Sequence, residues 1–226
     1  MKTKFFFLIP IAAVFFFASC QKDNELSEEE IVESIEASVK TNGADDMAFI
    51  STPYKSALCG FTNDTTITRT ASGTGFSWSR TANWDWTVNC DSNNAYNNVV
   101  FTETGNSTYD AARIDWTATH GGSITVTNLA VTEQNFILNG TMTRNATGTV
   151  TSRRRAENYT TAINHSWTNV LVDKDNRNIV SGNGSVTYSG TMAGNTVTHN
   201  GTLVYNGNGT ATLTLDNGSV HSIQTR

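Results

Sequence analysis

The chain has no long hydrophobic run, no basic excess, almost no proline and few cysteines. Its one extended apolar stretch, Phe5 to Phe17, is interrupted by Pro10 and falls short of the about 20 residues that cross a bilayer. Behind Lys2 and Lys4 it reads as an export signal. With 15 basic and 20 acidic residues the net charge is −5, and removal of residues 1–19 takes away Lys2 and Lys4, leaving 13 against 20, or −7. That sign argues against nucleic acid and acidic lipid as partners. Signatures of chemistry are missing too. His120, His165, His199 and His221 share no ligand spacing, and no His-Glu-x-x-His motif occurs. Gly75-Phe76-Ser77-Trp78-Ser79 has serine where a nucleophile elbow ends in glycine. Asp173 to Asn178 lacks the glycine and closing glutamate of a calcium loop and reads as a polar hairpin turn. Asp110 and Asp115, five apart, fall on opposite faces of one regular strand, a poor carboxylate pair. No metal or other cofactor is implied, and catalysis is not expected.

Three cysteines are present, and the first stands in a telling context. Phe17-Ala18-Ser19-Cys20 resembles the lipobox of bacterial lipoproteins. The resemblance implies cleavage before Cys20, acylation of Cys20 with chains such as palmitate, and a lipid bilayer as the first partner. Gln21-Lys22-Asp23-Asn24-Glu25 resembles the lysine-and-acid tether of Bacteroidota surface lipoproteins, which implies display at the outer face of the outer membrane. A periplasm-facing anchor is the alternative. The resemblance covers residues 1–25 and implies nothing about the rest. Outside the cytoplasm the remaining pair, Cys59 and Cys90, is expected to form a disulfide. A loop of that length would stabilise the fold by about 3–4 kcal/mol.

Ser27-Glu28-Glu29-Glu30 opens a helix with a capping box, and Ile31, Ile35 and Val39 give it one apolar face, ending near Lys40. Such a helix either docks on the following domain or serves as a partner-binding spacer. From about residue 60 the pattern is strand throughout. Trp84, Trp86, Val88 and Cys90 alternate with polar residues, as do Ala112, Ile114, Trp116 and Ala118. Gly121-Gly122, Asn206-Gly207 and Asp216-Asn217-Gly218 read as turns. Glycines at 140, 190 and 201 recur inside strand-like runs, where they serve bends or close backbone approach. The expected fold is all-β: a large antiparallel meander of about nine to eleven strands, curved or closed into a barrel, with a β-sandwich as the alternative. The expected organisation is a signal over 1–19, a lipidated tether with helix over 20–45 and one β domain over 46–226.

Tryptophan is the residue type that carries recognition here if any does, because an indole stacks on a sugar ring and offers one N–H. Trp84 and Trp86 share a face with Val88 and read as core. Trp78, flanked by serines, with Trp116 and Trp167 on later strands, are the candidate ligand contacts. Arg153-Arg154-Arg155 is the one basic cluster, read as a hairpin loop or an anionic-polysaccharide contact. The functional expectation is a non-catalytic binding module at the envelope, for a glycan or an envelope protein. A structural accessory subunit is the alternative, and a hydrolase stands behind both.

Overall fold

The computed structural model describes residues 25–42, 58–151 and 156–225. Cys20 and Arg153-Arg154-Arg155 lie outside them.

Helix α1 (Glu28–Asn42) starts as its sequence dictates. The Ser27 amide donates to Glu30 Oε2 at 2.8 Å and the Glu30 amide donates to Ser27 Oγ at 3.4 Å, a reciprocal capping box. Ile31, Ile35 and Val39 are buried, each contributing about 1.5–3 kcal/mol. Glu30, Ser34, Ala37 and Ser38 are buried as well, so protein covers the helix on more than its apolar face.

Ten strands follow: β1 (Thr62–Gly73), β2 (Phe76–Cys90), β3 (Tyr96–Ala111), β4 (Ile114–Thr127), β5 (Asn135–Thr151), β6 (Ala156–Asp173), β7 (Ile179–Met192), β8 (Asn195–Gly207), β9 (Thr210–Leu215) and β10 (Val220–Gln224). They form one antiparallel meander in sequence order. Among the described residues β1 and β10 do not pair, so the sheet is open rather than a closed barrel. It nevertheless curls around α1. Glu28 is held by Asn217 and His221 at the β9–β10 end, while its neighbour Glu29 pairs at 2.5 Å with Arg113, just before β4. Six strand steps separate β4 from β10, about 29 Å in a flat sheet, whereas adjacent helix residues lie about 3.8 Å apart. Only a rolled sheet brings both to one helix end.

The inner face carries the core. Trp84, Phe101, Trp116, Ile124, Leu138, Met142, Leu203 and Leu213 alternate with exposed or half-exposed residues along their strands. Alternation therefore locates the core correctly. Cys59 and Cys90 are disulfide-bonded, tying the segment before β1 to the end of β2.

Two turn assignments change. Gly121-Gly122 is not a hairpin but the middle of β4, and the turn lies instead at residues 112–113. The reason is steric: a Cβ on Gly122 would stand 2.2 Å from the Thr141 carbonyl oxygen of the next strand. Gly140 behaves alike, with Ser123 O at 2.4 Å, and sits at a bulge in the β5–β6 pairing. The last turns fall at Asn208-Gly209 and at Asp216 to Ser219, the first two residues beyond the expected Asn206-Gly207. Asp173 to Asn178 does form the β6–β7 hairpin, with Asp173 Oδ1 accepting from the Asp175 and Asn176 amides at 2.9 Å.

Candidate functional site

The outer face of the sheet is the more informative side. Thr108, Thr117, Thr147, Thr160, Thr191 and Thr196 are successive cross-strand partners from β3 to β8. The adjacent row runs Asn106, Thr119, Asn145, Ala162 and Ser189. Their alternates along each strand, among them Ser107, Ala118, Ala146 and Thr161, are buried on the inner face, so these rows point outward.

Where the two rows run side by side the outer face is hollowed into a trough of about 710 Å³. A second hollow of about 620 Å³ shares Thr117, Thr147, Thr160 and Thr191 and extends to Asp115, Thr149 and Asn158. A strongly twisted sheet is saddle-shaped, so rolling inward along one axis leaves a concavity outside along the other. Among the described residues, the first hollow is lined by hydroxyl, amide and methyl groups with no ionisable side chain. Asp115 brings a carboxylate to the edge of the second, its Oδ1 accepting from the Thr149 amide at 3.1 Å.

Asp110 and Asp115 sit together at that edge. The turn at residues 112–113 places them on facing strands as direct cross-strand partners, which corrects the expectation that they point to opposite faces.

The tryptophans lie elsewhere. Trp116 and Trp167 are 2 % and 3 % exposed on the inner face, beside Trp84 and Trp86, so their indoles are core and offer nothing to a ligand outside. Trp78 is half-buried, on the same inner face near the start of β2. Trp116 stacks on Tyr109 with ring centroids 5.6 Å apart, and Tyr109 stacks on Phe76 at 6.5 Å. This ladder runs from the rim of the sheet into its interior.

Polar groups inside the roll are sealed. Glu103 pairs with Arg80 and stands 2.6 Å from His120 Nδ1, with all three side chains at most 3 % exposed. Burial lowers the Arg80 guanidinium against the opposing pull of Glu103. Arg144 is fully buried over the Trp116 ring at 4.1 Å, and burial pulls it down to about 10. His165 meets the Tyr205 hydroxyl at 2.8 Å, and burial depresses it to about 4 while pushing Tyr205 up. The remaining histidines sit nearer solvent: His199 Nδ1 lies 3.0 Å from Asp216 and His221 Nε2 lies 2.9 Å from Glu28. His221 Nε2 also faces Ser219 Oγ at 3.1 Å. One nitrogen thus meets both acid and hydroxyl, whereas a triad relay needs the two ring nitrogens to do so separately. No two of the four histidines share a partner among these contacts.

Among the described residues no three His, Cys, Asp or Glu side chains group to hold a metal. Compared with family models, curated proteins and solved structures, the chain matches none.

Proposed function

We propose that this is an exported lipoprotein, anchored through Cys20 at the outer membrane, whose rolled sheet serves as a non-catalytic binding module for an uncharged polyhydroxylated ligand. The observation that carries the reading is the outer trough, about 710 Å³ of hydroxyl- and amide-lined hollow with no ionisable lining among the described residues. Its size falls within the usual range of ligand sites. Side chains of this type exchange hydrogen bonds with sugar hydroxyls without burying a charge. The polar groups of the inner face, by contrast, are enclosed and serve the fold.

The anchor would keep this module close to the bilayer. Leu26 is buried, six residues after Cys20, and six residues span at most about 20 Å, so the anchor would hold the domain within that distance of the membrane. Metabolic labelling with a palmitate analogue tests the anchor: label on the wild type and none on Cys20→Ala is expected, and label on both contradicts it. Binding is tested by presenting the full-length protein to immobilised neutral and acidic polysaccharides. Retention on neutral polymers supports the reading, and retention on none of them sinks it.

One observation favours a second reading, that of an accessory subunit. β1 is exposed along almost its whole length, and no described strand pairs with its outer edge. An open edge accepts a strand from a partner. Under that reading an envelope protein co-purifies with the wild type and is lost on Thr66→Pro.

A further inference from the structure

We propose that the row Thr108, Thr117, Thr147, Thr160 and Thr191 is the bed of a linear, uncharged polysaccharide that lies across the strands. The inference rests on the binding reading above and adds a ligand class and a direction.

The direction follows from register. Along a strand the outward residues are interrupted: β4 presents Asp115, Thr117, Thr119 and Gly121 in turn, and on β5 Asn145 breaks the series Thr141, Thr143, Thr147 and Thr149. Across the strands one of the two rows is uninterrupted, five threonines at successive steps of one strand spacing, beside the mixed row that starts at Asn106. A surface that repeats one side chain at equal intervals matches a ligand that repeats one unit, which a polymer does and a small metabolite does not. Four steps of about 4.8 Å give a bed about 19 Å long.

The class follows from chemistry. Threonine shows a methyl and a hydroxyl side by side, as a pyranose shows C–H faces and hydroxyl edges. Each threonine is stiff at χ1, so little rotamer freedom is lost on binding. Thr117 and Thr147 Oγ1 stand 3.5 Å apart, and the Thr191 and Thr196 hydroxyls stand 2.8 Å apart. A hydroxyl has one donor and two acceptor positions, so a paired one still accepts from a ligand. Charge selects against acidic polymers: the bed itself is uncharged, while Asp110 and Asp115 flank it on facing strands. Those carboxylates accept hydrogen bonds from sugar hydroxyls but repel uronic acids and phosphodiesters.

The test uses the full-length protein and soluble β-1,4-linked gluco- and xylo-oligosaccharides of increasing length, with polygalacturonate as the acidic control. Affinity is expected to rise with length until the chain covers about 19 Å and then level off. Thr147→Arg and Thr160→Arg, each on an exposed position, are expected to weaken binding at least tenfold with unchanged circular dichroism. Thr141→Arg, on the same outer face of β5 but away from the trough, is expected to leave it within twofold. Length-independent affinity, or full binding by Thr147→Arg and Thr160→Arg, overturns this inference while leaving a binding module in place, and preference for polygalacturonate overturns the uncharged ligand of both readings. Failure to bind any of these sugars or any immobilised neutral polysaccharide overturns both.

Discussion

Arg144 Nη2 on β5 donates to the Ser34 backbone carbonyl on α1 at 3.0 Å, and to Ser34 Oγ at 3.2 Å. The rest of this fully buried guanidinium is poorly served: Nε and Nη1 have no hydrogen-bond partner, and a Trp116 ring lies beneath it. A buried cation without a carboxylate is costly, so the contact seats the helix at the expense of stability.

Two substitutions separate those effects. Arg144→Ala leaves a large void beneath the helix and is expected to cost about 3–5 kcal/mol. Arg144→Met keeps volume and removes the desolvated charge, and is expected to stay within about 1 kcal/mol of wild type. Urea midpoints at constant slope measure both. A loss with Met as large as with Ala would mean that the charge itself holds the helix.

Acid sensitivity should trace to His165. Burial holds it near 4 against an ordinary 6.5, so between those values the unfolded chain binds a proton that the folded chain refuses. Stability therefore rises with pH across about 4 to 6.5, and acidification through that window costs up to about 3 kcal/mol. Glu28, held low mainly by Ser219 and Asn217, and Glu29, held low by Arg113, act in the same direction at lower pH. Their contribution is present above the ordinary carboxylate value and fades as pH falls below it. Glu33, raised by burial, opposes them. His165→Gln retains a partner for the Tyr205 hydroxyl and should flatten the slope between pH 4.5 and 6.5. An unaltered slope would place the sensitivity elsewhere.

The disulfide between Cys59 and Cys90 closes a separation of 31 residues around the exposed edge strand β1. Its removal by the double Cys→Ala substitution should lower stability by about 3–4 kcal/mol. Amide exchange over 62–73 should quicken first, because β1 buries little of its own. A loss under about 1 kcal/mol with unchanged exchange would contradict this.

Curvature depends on glycines that admit a neighbouring backbone. Gly122→Ala would press its Cβ to 2.2 Å from Thr141 O, and overpacking of this kind costs about 1–3 kcal/mol or more. Gly75→Ala meets nothing within 4 Å and bears only the strain of φ +85°, about 1–2 kcal/mol. Thermal denaturation should rank Gly122→Ala as the more damaging, and the reverse order would remove the steric account of the bend.

The fold was legible because alternation survives without knowledge of neighbours: Trp84, Trp86 and Val88 declare the inner face from their spacing alone. The capping box at Ser27 and Glu30 is equally local. What stayed hidden depends on pairing. The threonine row exists only once register is known, and a hairpin placed at Gly121-Gly122 rather than at 112–113 scrambles every partner of β4. The same error separated Asp110 from Asp115. A useful signal was present in the runs Thr117–Thr119 and Thr147–Thr149, where threonine repeats on the polar face of consecutive strands. An indole suits a sugar, which makes Trp116 and Trp167 candidate contacts from sequence, but Trp116 shares a strand face with Ile114 and Ala118, and both indoles are buried in the core.

The most direct test of the account is an NMR titration of the protein carrying ¹³C-methyl threonine with a neutral β-1,4-linked hexasaccharide. The account predicts saturable shifts at Thr117, Thr147, Thr160 and Thr191, with Thr68 and Thr212, far from the trough, unmoved. Shifts confined to threonines off the trough, or no shifts at millimolar sugar, would contradict it.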